Sequence, residues 1–169
     1  MEAIVAVYRD WGIGNEGSQP IVIPEDRKRF QELTMGGTIV IGRKTLEDFP
    51  NGKPLPGRTN IVMTHQDIEI EGAIVAHSVE EVLELVKDKP NVYLCGGSSV
   101  YIQLLHYCTK IYLTRIDAKP KTDTRFPNLD NEFNWSLEYE SPTHDYEGIK
   151  YNFCEYEIYD IRRDFRKIK

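Results

Sequence analysis

In the stretch PIVIPEDRKRF, Pro20 to Phe30, two adjacent acids stand between an apolar run and a basic one. Pro24 suits the first position of a helix, where its missing N–H costs nothing and its fixed φ is already helical. Glu25 and Asp26 then fall in the first turn, where negative charge complements the helix dipole. The helical wheel separates them: at about 100° per residue, Ile23, Asp26, Phe30 and Leu33 share one face, within about 80° of one another. Glu25, Lys28, Gln31 and Glu32 project elsewhere. A carboxylate on an apolar stripe is either a cap satisfied by main-chain N–H groups or an acid facing a pocket, where burial raises its pKa toward use as a proton source. The stretch by itself leaves both open.

Two further stretches put glycine and polar groups where a buried strand ends. GTIVIGRKT, Gly37 to Thr45, runs an apolar strand into Gly42, Arg43, Lys44 and Thr45. LCGGSSVY, Leu94 to Tyr101, runs another into Gly96 and Gly97, with Ser98 and Ser99 able to donate to phosphate oxygens. Open parallel sheets bind ligands beyond the carboxyl ends of their strands, where main-chain N–H groups meet an anion. Paired glycines let a backbone approach such a ligand closely. Neither stretch fits GxGxxG or GxxxxGK[ST], so the general nucleotide motifs do not apply. Each alone could be an ordinary strand-to-helix turn; two in one sheet suggest an extended ligand such as a dinucleotide.

These residues need a sheet to hold them. Short β-branched runs at 3–8, 38–42, 59–64, 73–77 and 91–97 alternate with helical patterns at 24–34 and 79–87. Fully apolar strands separated by helices point to an α/β fold, a mostly parallel sheet covered on both faces. The C-terminal third differs: after 110–117, the long alternating stretches 132–141 and 149–159 are joined by the turn-forming PTHDYEG. They read as an antiparallel hairpin added to the sheet edge.

Composition bounds the function. The 169 residues suit one domain, and 40% hydrophobic with 28% charged is the balance of a soluble globular chain. A formal net charge of −6 argues against a nucleic-acid or anionic-membrane surface, which needs clustered cations. Only Arg162 to Lys169, RRDFRKIK, is strongly basic, and it reads as a solvated end. Three cysteines without CxxC or a Cys/His pair predict neither a disulfide framework nor a metal site. No apolar run approaches a membrane span and the N-terminal run is short for a signal segment, so the expected location is the cytoplasm.

Seven stretches in order, DWGIGNEG, IPEDRKRF, IVIGRKTLEDF, LPGRTNIVMT, LCGGSSVY, IYLTRID and DTRFP, together resemble the dihydrofolate reductase family in its bacterial chromosomal form. The resemblance covers nearly the whole chain. It implies an eight-stranded, mostly parallel sheet with a C-terminal antiparallel hairpin and four helices, in a single domain over 1–169 with an adenosine-binding subdomain at about 38–90. It implies NADPH-dependent reduction of 7,8-dihydrofolate, antifolate binding and a monomeric protein.

By position, Asp26 matches the family's acid at the pterin, linked through Thr114, with Val5, Ala6, Phe30, Cys95 and Tyr101 about the ring. Leu55 matches the residue against the aminobenzoyl ring and Arg58 the one that holds the tail carboxylate, a task suited to a bidentate guanidinium. For NADPH the resemblance implies Ala6, Ile13, Gly14, Asn15, Gly42 to Thr45, Thr64, His65, His77 and Gly96 to Val100, with a cis peptide at Gly96–Gly97. Arg43, His65 and His77 lie where the 2′-phosphate is read. Gly14 to Gln19 match a mobile lid, braced by Asp123. Three residues depart from the family pattern: Ile21 stands where a Trp donor is common, Arg27 brings a cation toward the folate cleft, and Ser98 replaces a third glycine. Asp26 together with Arg58 argues against a related reductase of another substrate.

Overall fold

The Val- and Ile-rich runs form strands and the amphipathic runs form helices, largely where their periodicity places them. The computed structural model describes residues 1–159, so the basic stretch Arg162 to Lys169 lies outside the described residues. In chain order the strands are β1 (Glu2–Val7), β2 (Gly12–Gly14), β3 (Thr38–Gly42), β4 (Thr59–Met63), β5 (Ala73–Ala76), β6 (Val92–Leu94), β7 (Lys110–Ile116), β8 (Thr124–Arg125), β9 (Trp135–Glu140), β10 (His144–Tyr146) and β11 (Ile149–Ile158). The helices are α1 (Pro24–Thr34), α2 (Arg43–Asp48), α3 (Val79–Val86) and α4 (Ser98–Leu104). No helix among the described residues is long and apolar enough to cross a membrane.

The main sheet runs β10-β11-β7-β1-β6-β3-β4-β5, with β9 also paired to β11. Since β7 occupies one edge of β11, β9 and β10 share the other and act as one interrupted strand. The sheet therefore has the eight positions expected. The break falls at Pro142, which has no N–H for a ladder. Ser141 bridges it: its N–H donates to Phe153 O, and the Phe153 N–H donates to Ser141 Oγ, both at 2.8 Å. The structure also narrows the expected connection PTHDYEG. The tight turn is only Glu147–Gly148, both at positive φ (49° and 84°), as two-residue hairpin turns require.

The other pairs, from β7 through β5, are parallel. The chain leaves β1 for β3, steps out through β4 and β5, and returns by α3 to place β6 between β3 and β1. It then crosses by α4 to β7 on the far side of β1. Crossovers thus depart in opposite directions around β1 and β6, which opens a crevice at the carboxyl ends of the strands.

Ala3, Ile39, Val40, Ile41, Ile61, Val62, Leu94 and Leu113 are wholly buried, and the Val, Ile and Leu side chains among them contribute about 1.5–3 kcal/mol each. Val82 and Val86 of α3 and Val100 and Leu104 of α4 join the core on one face. The other face carries two separate clusters, one around Ala6, Tyr8 and Ile23 and one around Ile39, Ile41 and Leu46. On α1 only Thr34 is buried, while Phe30 and Leu33 are half-buried. Of the inward stripe read from the helical wheel, Ile23 closes onto the cluster of Ala6 and Tyr8, while Asp26, Phe30 and Leu33 stay half-buried.

Candidate active site

Pro24 starts α1 as expected, and the residue at the N-cap is Ile23, without a side-chain cap bond. Asp26 is therefore not a cap. Its Oδ1 instead accepts a 2.5 Å hydrogen bond from the Thr114 hydroxyl, 88 residues away on β7. Thr114 is buried and pairs with Ala6 on β1, so three elements converge on one carboxyl. Burial pushes the Asp26 pKa up. The Thr114 hydrogen bond and then the charges of Arg29 and Arg27 pull it back without cancelling the rise. A half-buried carboxyl so placed can hold a proton, or accept hydrogen bonds from a polar heterocycle edge.

Strand alternation sorts the residues expected around it. Ala6 faces the Asp26 side, whereas Val5 packs its side chain into the core of the opposite face. The β1 side chain that shares the Ala6 face at the cleft is half-buried Ile4, which the sequence reading passed over although period two alone selects it. Cys95, half-buried at the end of β6, packs against the same cluster as Ile4 and Leu55, and its thiol is raised far above its ordinary pKa by burial. Tyr101 is buried behind this wall, its hydroxyl donating to Ile4 O at 2.5 Å and its ring edge-on to Phe126. Arg27 is exposed on α1, and Arg29 stacks over Phe153 at 4.5 Å.

At the far end of α1 the loop 55–58 carries Arg58. Its Nε and Nη2 donate to Pro56 O (3.0 and 2.8 Å), and Nη1 donates to Thr34 Oγ1 at 3.3 Å. The loop is itself held by buried Asn60. The Asn60 amide accepts from Leu55 N–H and donates to both Leu55 O and Arg58 O, all at 3.0 Å. Asn60 was missed, although a lone amide inside the apolar run TNIVMT is a visible signal.

The two glycine turns lie side by side, because β3 and β6 are neighbours and Gly42 N–H donates to Gly96 O at 2.8 Å. Gly96–Gly97 is cis. A side chain on Gly42 would meet Val100 at 3.1 Å, one on Gly96 the Tyr101 ring at 3.2 Å, and one on Gly97 the Thr45 hydroxyl at 3.4 Å. The turns thus form a bare-backbone cradle, with Arg43, Lys44, Ser98 and Ser99 at its rim. Arg43 pairs with Glu47 at 3.0 Å. Further along the same edge, Thr64 O meets His77 Nδ1 at 3.0 Å, and His65 and His77 are exposed. Glycines, cations and hydroxyls so placed can meet the oxygens of an anionic ligand.

Between the halves runs the segment after β1. β2 pairs with β8, a small second sheet that the sequence reading lacked. Asp123 N–H donates to Gly14 O and Asp123 Oδ2 accepts from Glu16 N–H, both at 2.9 Å. Ile13 is half-buried against the core, and Asn15 and Ser18 bridge each other. Ile21 presents only an alkyl side chain; its main-chain N–H and C=O both meet the Tyr8 hydroxyl, at 3.0 and 2.7 Å. Among the described residues no group of three His, Cys, Asp or Glu is placed to hold a metal ion.

Fold and site define an α/β protein with a half-buried acid and a glycine cradle at the carboxyl edge of its sheet. The sequence model of the family described as dihydrofolate reductase matches residues 1–158. A dihydrofolate reductase of Haemophilus influenzae is 38% identical over 137 residues, 81% of this chain and 84% of that one. One of Bacillus subtilis is 35% identical over 147 residues, 82% of this chain and 86% of that one. The structure of the Enterococcus faecalis dihydrofolate reductase complexed with NADP(H) and RAB-propyl superposes with a TM-score of 0.85 at 36% identity, covering 94% of this chain and 96% of that one. The chain belongs to the dihydrofolate reductase family.

Proposed function

We infer that this protein reduces 7,8-dihydrofolate to 5,6,7,8-tetrahydrofolate with NADPH, supplying one-carbon metabolism. The observation that carries the reading is the Asp26–Thr114 pair at the cleft, opposite the Gly42 and Gly96–Gly97 cradle, in a chain of this family. NADPH, when bound, supplies a hydride to pterin C6. The protein's part is orientation and the proton. Asp26 takes the 2-amino and N3 edge of the pterin, and Thr114 fixes the carboxyl so that both oxygens keep their aim. Asp26 also feeds the proton that N5 acquires, through water. Ile21 has no side-chain donor to order that water.

Ile4, Ala6, Phe30, Leu55 and Cys95 supply the apolar walls that exclude bulk water, and Arg58 takes the tail carboxylate. Gly42 to Thr45 and Gly96 to Val100 hold the pyrophosphate, with Thr64 and the pair His65 and His77 beside Arg43 at the 2′-phosphate. Ile13 to Asn15 close over the nicotinamide. Antifolates occupy the Asp26 end of the same cleft. We place the protein in the cytoplasm as a monomer with one domain over 1–169, including an adenosine-binding subdomain at about 38–90.

The test is NADPH oxidation followed by absorbance with dihydrofolate as substrate, for the wild type and Asp26→Asn. We expect turnover in the wild type and a loss of about 10²- to 10⁴-fold in the variant, the usual scale of a positioned acid. An inactive wild type, or a variant that turns over as fast, defeats the reading.

A further inference from the structure

Tyr8 is the first residue after β1 and lies 1% exposed in the cluster of Ala6, Ile23, Ile116 and Tyr151. Its main chain closes the start of the segment that follows, with Tyr8 N–H donating to Gly12 O and Trp11 N–H donating to Tyr8 O, both at 2.9 Å. Its side chain closes the end. The phenol hydroxyl donates to Ile21 O at 2.7 Å and accepts from Ile21 N–H at 3.0 Å, across 13 residues. One residue therefore grips both ends of the excursion from 9 to 20.

Among the described residues, only two attachments tie 15–22 by hydrogen bonds to the structure around them: Glu16 N–H to Asp123, and the Ile21 main chain to Tyr8. Asp123 holds the front of this segment and Tyr8 its back. A tyrosine suits the task because its buried ring is rigid and its hydroxyl donates and accepts at once. Phenylalanine fills the same space and leaves both Ile21 groups without that partner.

We propose that Tyr8 is a positioning residue for the nicotinamide end of the site, its hydroxyl fixing the main chain at Ile21 and thereby the back of the lid. This rests on the function inferred above, because the segment is a lid only if NADPH binds beneath it. The adenosine end lies on β3 to β6 and shares no hydrogen bond with Tyr8 or Ile21, so the two ends of the cofactor should respond differently.

The experiment compares the wild type with Tyr8→Phe in four readouts: affinity for NADPH, affinity for adenosine 2′,5′-bisphosphate, which lacks the nicotinamide, KM for dihydrofolate, and amide exchange at Ile21. Two lost hydrogen bonds predict NADPH binding weaker by about 10-fold and faster exchange at Ile21. Adenosine 2′,5′-bisphosphate affinity and the dihydrofolate KM should stay within about 2-fold. Equal weakening of both nucleotides marks a general structural effect and overturns the proposal, as does unchanged NADPH affinity. Should Tyr8→Phe not fold, Ile21→Pro keeps the phenol and removes the N–H that it accepts. The same split between the two nucleotides is expected there, and its absence overturns the proposal. Wild-type NADPH binding and turnover test the function first; only the variant comparison tests the tether.

Discussion

Asp26 holds its proton to higher pH than an exposed aspartate, because burial opposes the charged form more strongly than Thr114, Arg29 and Arg27 favour it. An unfolded aspartate titrates near about 3.9. Between that value and the higher native one, native Asp26 keeps a proton that the unfolded chain has released. Folding stability therefore declines as pH rises through the window and levels off above it. Asp26→Asn has no proton to lose. Thermal melts across pH should show the variant gaining stability relative to the wild type as pH rises through that window, with the gain constant above it, while its turnover falls. A variant with less activity and no pH-dependent gain would show that the carboxyl is not stressed by burial. The same balance favours activity on the acid side: at saturating substrate, turnover should decline as Asp26 loses its proton.

At the scale of elements, the proposed tail site at Arg58 depends on a loop with no regular structure of its own. Pro56, Gly57 and Arg58 hold their course because Asn60, at the start of β4, spends its whole amide on Leu55 and Arg58. The Arg58 guanidinium then reaches Pro56 O and the last residue of α1, Thr34. Asn60→Ala leaves three main-chain groups without these partners and should lower stability by about 1–3 kcal/mol. Its kinetic signature should be a dihydrofolate KM raised by about 10-fold with kcat nearly unchanged, since tail binding is lost equally from ground and transition states. A lowered kcat with an unchanged KM would place the effect at the pterin instead. Asn60→Asp keeps the acceptor for Leu55 N–H but turns a buried carboxylate oxygen toward Leu55 O and Arg58 O, so it should lower stability at least as much as Asn60→Ala.

Across the molecule, the sheet separates two chemistries by its faces. The α1 and α2 face is split by the cleft, whereas the α3 and α4 face is closed. The three cysteines follow this division. Cys108 and Cys154 are buried, and Cys95 is half-buried at the cleft. Burial pushes the Cys108 thiol up to about 12 and raises Cys95 and Cys154 as well. Thiolate, not thiol, attacks disulfide reagents. At neutral pH the folded protein should thus react slowly with such a reagent, and all three thiols should react once denaturant unfolds it. Fast labelling of the folded protein, followed by absorbance, would contradict this packing.

Local pattern alone carried much of this architecture. Period-two apolar runs placed the parallel strands, Pro24 and the helical wheel placed α1 with Asp26 on its inward stripe, and the strand ends at Gly42 and Gly96 announced the cradle. Those signals are local because backbone periodicity and turn chemistry act over a few residues. The stretch around Asp26 left open whether the acid capped its helix or faced a pocket, and only the whole-chain resemblance favoured the pocket, because the partner, Thr114, lies 88 residues away. The sequence reading named Val5 at the ring without Ile4, whereas strand alternation turns the Val5 side chain to the opposite core and Ile4 to the face of Ala6. It also missed Tyr8 and Asn60, whose partners are main-chain groups of loops. A tyrosine after a strand and an asparagine within one have many uses, and only the assembled sheet brings each to its loop.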